Sequence, residues 1–163
     1  MNTNNYGFFT SVLRTRPHAA ARVYGSGDFP KIRGFVRFYG TKYGVLVAAD
    51  IQGLPVSTGT CDGRVFGFHI HSGSSCTGNA SDPFADTLAH YDTANCPHPY
   101  HAGDMPPLFG NNGNAFSAFL TNRFNVGEII GKTVVLHALP DDLKTQPSGG
   151  SGAKIACGVI RRV

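Results

Sequence analysis

The 163 residues carry 41% hydrophobic and 15% charged side chains, a globular composition in a chain the size of one domain, able to bury about two-thirds of its unfolded surface. No apolar run approaches the roughly 18 residues of a membrane span, and the composition excludes a disordered chain. Fourteen basic against ten acidic residues give +4, but the bases are scattered, with only Arg161 and Arg162 adjacent. Neither nucleic acid nor a membrane is therefore expected as a partner, whereas a small anion fits the balance.

In chain order, Met1 to Pro17 reads as a loose leader whose apolar cluster, Tyr6 to Phe9, is too short and broken for a secretory signal. The compartment stays open: cytoplasmic as written, or extracytoplasmic if a leader has been removed. Residues 18–163 read as one domain. With 21 glycines and 10 prolines, no stretch sustains helical periodicity, and the pattern is all-β. The expected strands are Ala20–Tyr24, Lys31–Tyr39, Gly44–Ile51, Val65–His71, Ala115–Thr121, Thr133–Ala138 and Lys154–Ile160, rich in Val, Ile, Phe and Tyr. Seven or eight strands imply a sandwich or barrel. Ser72 to Asn114 is too long for an idle connection and is expected to carry function. A second irregular stretch, Pro140 to Gly152, contains the flexible run Pro147 to Gly152.

Six of the seven histidines lie in or beside these loops. His69 and His71 occupy positions i and i+2 of a strand and so point to one face. His90, His98, His101 and Asp104 follow in the long loop, and His137 sits on a later strand. One such histidine alone would be an ordinary structural residue. Imidazoles clustered with a carboxylate suit zinc and copper rather than magnesium or calcium. The cysteines, Cys61, Cys76, Cys96 and Cys157, show no C-x-x-C spacing and allow up to two disulfides in three connectivities.

The runs Gly67-Phe68-His69-Ile70-His71, His90, His101-Ala102-Gly103-Asp104, Val134-Val135-Leu136-His137, Asp141-Asp142-Leu143 and Ala156-Cys157-Gly158-Val159-Ile160 together resemble the copper/zinc superoxide dismutase family. The likeness extends from about Ala20 to the C-terminus. It implies a Greek-key β-barrel or sandwich of about eight antiparallel strands, with a long metal-binding loop and a shorter second loop. It further implies one copper per subunit, held by His69, His71, His90 and His137, and one zinc, held by His90, His98, His101 and Asp104. Asp141 falls where the family has a carboxylate that orients a copper and a zinc histidine, here His69 and His98.

The implied reaction is disproportionation of superoxide by redox cycling of copper, with His90 serving as bridge and proton carrier. A monomer or homodimer is the expected assembly. Cys76 and Cys157 match the family disulfide; a second bridge between Cys61 and Cys96 is weighed against two free thiols. Three departures stand out. His98 and His101 are unusually close in sequence, the second loop holds few charges besides Lys144, and the family's channel arginine falls near Lys154, a residue that keeps the charge without the planar fork. A copper-carrying protein with little activity and a zinc-only structural module are the alternative functions.

Overall fold

The computed structural model describes residues 5–56, 59 and 64–163. Its elements are α1 (Asn5–Val12), β1 (Ala19–Gly25), β2 (Arg33–Thr41), β3 (Gly44–Gln52), β4 (Val65–Phe66), β5 (Phe68–His71), β6 (Leu108–Phe109), β7 (Asn114–Thr121), α2 (Val126–Ile129), β8 (Thr133–His137) and β9 (Lys154–Arg162). Seven strands form one curled antiparallel sheet in the order β5-β8-β9-β1-β2-β3-β7, and β4 pairs with β6 in a short ribbon. The all-β expectation holds. Among the described residues no helix is long and apolar enough to cross a membrane.

Strand alternation builds the core. Phe38, Phe66, Phe68, Ile51, Ile70, Leu136, Ile155 and Ile160 are fully buried inside the curl, where each large apolar side chain contributes about 1.5–3 kcal/mol of transfer free energy. β5 is buried on both faces. Phe68 and Ile70 enter the core, which leaves His69 and His71 on the opposite face.

Two elements differ from the sequence reading. The expected strand Val65–His71 is divided at Gly67, because Val65 and Phe66 pair with Phe109 and Leu108 while Phe68 to His71 pair with Leu136 to Thr133. Residues 5–12 are helical rather than loose. The outer face of β2 and β3 carries the apolar patch Tyr39, Leu46 and Ala48, which Phe9, Val12 and Leu13 cover. The Phe8 ring meets Tyr43 edge-on, with centroids 5.4 Å apart. The patch supplies the packing that an eight-residue helix cannot supply for itself.

The sheet also gathers bases that are scattered in sequence. The Arg22 guanidinium lies 4.9 Å from the Tyr24 ring centre, and that of Arg37 lies 5.1 Å from the Phe35 ring centre. Strand register alone brings these residues together, since Arg22 is opposite Phe35.

Candidate metal centre

β5 is an edge strand, and the long loop closes its free edge. Tyr91 N donates to Ile70 O at 2.8 Å, Ile70 N to Gly103 O at 2.9 Å and Gly103 N to Tyr91 O at 2.7 Å. This three-way backbone contact brings His90 opposite His71 and Asp104 opposite His69. Gly103 is required by proximity: a Cβ there would run into the Ile70 carbonyl. His137 arrives from β8, next to β5.

The residues converge as two groups. One donor atom from each of His69, His71, His90 and His137 lies within 4.8 Å of the others, and the same holds for His90, His98, His101 and Asp104. His90 belongs to both. The short His98–His101 spacing is accommodated by a turn in which Tyr100 N donates to Pro97 O at 2.9 Å, with the two rings 5.7 Å apart.

Hydrogen bonds assign the tautomers. Asp141 accepts from His69 Nε2 at 2.7 Å and from His98 Nε2 at 2.9 Å, so both rings carry their proton on Nε2 and leave Nδ1 bare. His71 Nδ1 donates to Leu88 O at 2.7 Å and His137 Nδ1 to Gly152 O at 3.2 Å, which bares both Nε2 atoms. His90 Nδ1 donates to Asp104 Oδ1 at 2.8 Å. The remaining nitrogens, His69 Nδ1, His90 Nε2, His98 Nδ1 and His101 Nδ1, are buried without a hydrogen-bond partner. His98 Nδ1 and His101 Nδ1 lie 3.1 and 3.2 Å from Asp104 Oδ2, close to the carboxylate but not directed at it as hydrogen bonds.

A buried polar atom without a partner is costly, and so many directed at two points are best explained as ligand atoms. All-imidazole donors fit copper or zinc; three imidazoles with one carboxylate fit a tetrahedral zinc site. Burial pushes the His69 ring down and takes His71 to about 2 and His137 to about 3, with neighbouring rings adding to the effect. The rings are therefore neutral and ready to bind at physiological pH. Burial works to raise the Asp104 and Asp141 carboxyls, but the ring donors of His90 and of His69, respectively, hold them below the usual range.

Residues 32–160 match the family model for copper/zinc superoxide dismutase (SODC). The chain belongs to the copper/zinc superoxide dismutase family. It is 34% identical over 149 residues to a Cu-Zn superoxide dismutase of Legionella pneumophila, spanning 86% of this chain and 85% of that protein. It is 32% identical over 142 residues to that of Escherichia coli, with 78% of each chain covered. A solved structure of a double mutant of a SOD-like protein from Bacillus subtilis superposes with a TM-score of 0.69 at 27% identity, covering 87% of this chain and 95% of that one.

Around the centre the structure brings Cys76 and Cys157 into a disulfide, packed against Phe84 and Val135. Among the described residues Cys96 has a free thiol; Cys61, its expected partner, lies outside them. Lys154 has its Nζ on Asp82 Oδ2 at 2.7 Å and on Phe84 O at 3.1 Å.

Three residues of the centre escaped the sequence reading. The Gln146 amide clamps the His98 backbone, accepting from its N at 2.9 Å and donating to its O at 2.7 Å. Arg123 Nη1 donates to the carbonyls of Pro99, His101 and Asp104 at 2.8, 3.3 and 3.3 Å. Asp82 holds Lys154. None carries a sequence signal, because each acts through a backbone or side chain 19 to 72 positions away. Gly149 completes the surroundings of Asp141: its φ is +70°, and a side chain there would occupy the carboxylate's own space.

Proposed function

We propose that this chain is a superoxide dismutase, with copper held by His69, His71, His90 and His137 and zinc held by His90, His98, His101 and Asp104. The observation that carries the reading is His90, which offers one ring to both donor groups, Nδ1 on the Asp104 side and Nε2 bare toward the other rings. A carrier of one metal has no need of such sharing.

When bound, copper would supply one-electron redox chemistry and redox-silent zinc would anchor the loop; overall, two superoxides and two protons give dioxygen and hydrogen peroxide. The protein handles those protons. His90 Nε2 is buried and free of protein partners, so a proton held there is available to an oxygen anion in the cluster. Asp141 fixes the rings of His69 and His98 by accepting from both, which keeps their ligand nitrogens aimed inward. Lys154, paired with Asp82 at 2.7 Å, stands where the family has an arginine and lacks the planar fork that would orient an anion.

Superoxide decay measured on protein loaded with copper, with zinc and with both tests the reading. Catalysis per bound copper, greatest with both metals, supports it. Stoichiometric copper without dismutation indicates a copper-carrying protein, and refusal of copper a zinc-only module.

A further inference from the structure

We infer that Asp82 restrains the attraction of small anions to this centre by neutralising Lys154 at its rim. The inference rests on the reading of the cluster as a copper-holding dismutase centre. Lys154 opens β9 and stands opposite His137 in the β8–β9 ladder. That pairing follows an irregularity in the ladder between Leu136 and His137, so contacts set the side: the ammonium reaches Phe84 O, and Phe84 packs on Val135, which shares a face of β8 with His137. Lys154 and Asp82 form an ion pair at 2.7 Å, their side chains 16% and 37% exposed. It is the one ion pair among the described residues that does not involve a histidine.

The carboxylate is placed by its own segment. Asp82 N donates to Asn79 Oδ1 at 3.0 Å, and Phe84 N donates to Asp82 Oδ1 at 3.0 Å. Burial works to raise this carboxyl, but Lys154 and the Phe84 amide hold it below the ordinary value, so it is ionised at neutral pH. A cation joined to an anion presents a dipole, whose field falls off faster than that of a free charge, and an approaching monoanion meets almost no net attraction. Lys154 has a second anchor, the Phe84 carbonyl at 3.1 Å. Removing the Asp82 charge while keeping its shape therefore leaves the ammonium seated and unmasked.

Asp82→Asn in the full chain loaded with copper and zinc tests this. Azide is the probe, titrated optically against the oxidised copper protein, with superoxide decay followed across ionic strength as a second readout. Azide should bind about two- to tenfold more tightly, and superoxide decay should accelerate at low salt and decline more steeply as salt rises. Asp82→Glu should stay near wild type, and adding Lys154→Gln to Asp82→Asn should abolish the gain. Unchanged or weaker azide binding in Asp82→Asn overturns the inference, as does a gain that survives loss of Lys154. If the wild-type protein binds copper and azide but leaves superoxide untouched, the dismutase reading fails while the azide titration still decides the role of Asp82. Refusal of copper by the wild type overturns both.

Discussion

The Nε2 atoms of His71 and His137 face each other across 3.3 Å, and neither carries a proton. Each ring has its proton on Nδ1, committed to the carbonyl of Leu88 or of Gly152. Two lone pairs at this distance repel, and a proton between them is opposed by burial, which takes the rings to about 2 and about 3. A metal cation satisfies both without charging either ring. The metal-free cluster is thus an arrangement whose electrostatics favour an ion.

This relationship has a pH consequence for metal-free protein. Both rings titrate lower in the folded chain than the ordinary histidine value of 6.5, so below pH 6.5 the unfolded chain binds more protons and stability falls with falling pH. The expected loss is about 1.4 kcal/mol per pH unit for each ring that must stay neutral, with no contribution from these rings above 6.5. Asp104 and Asp141, depressed from 3.8, add a loss of the same sign only below about pH 4. Urea unfolding of chelator-treated protein at pH 7.5, 6 and 5 checks this; equal stability at pH 7.5 and 5 would refute it.

Asp141 accepts from one ring of each donor group. In Asp141→Asn one carboxylate oxygen becomes an amide that faces a ring N–H donor to donor, so one ring loses its tautomer control. Affinity for copper and zinc should fall by roughly 10- to 100-fold, read by competition with chelators. Unchanged affinity for both metals would exclude an orienting role.

Arg123 joins the end of β7 to the loop that carries the zinc-side donors, through carbonyls at residues 99, 101 and 104. Arg123→Ala should speed zinc loss by about tenfold or more, in line with the roughly 1.5–3 kcal/mol of hydrogen bonds to a charged group. Copper retention should change less. Chelator-driven zinc release measures it, and equal release rates would argue against the clamp.

The Cys76–Cys157 bridge spans 81 positions. By the chain-entropy relation such a closure contributes roughly 4 to 5 kcal/mol, so Cys76→Ser with Cys157→Ser should lose about that much in denaturant unfolding. A loss below about 1 kcal/mol would show that Phe84 and Val135 hold the loop without the bond.

Strands such as β3 and β8 were legible because alternation and β-branched residues reflect a one-sided or fully buried sheet. His69, His71, His90, His98, His101, Asp104 and His137 were legible because their side-chain type is itself the chemistry. Helix α1 was not: its stability comes from Tyr39, Leu46 and Ala48 on distant strands, which local composition does not report. The split at Gly67 reflects a change of pairing partner, also a tertiary fact. Gln146 and Arg123 act on main-chain groups, whose positions exist only once the loops fold.

We propose catalysis by a copper that depends on all four rings of the first group. Superoxide decay per bound copper, measured with metal content on the same samples, compares the wild type with His137→Ala. The expected result is rapid copper-dependent decay in the wild type and its collapse in the variant, with zinc retained by His90, His98, His101 and Asp104. Equal decay per bound copper in the two proteins, or none in a wild type carrying both metals, would contradict it.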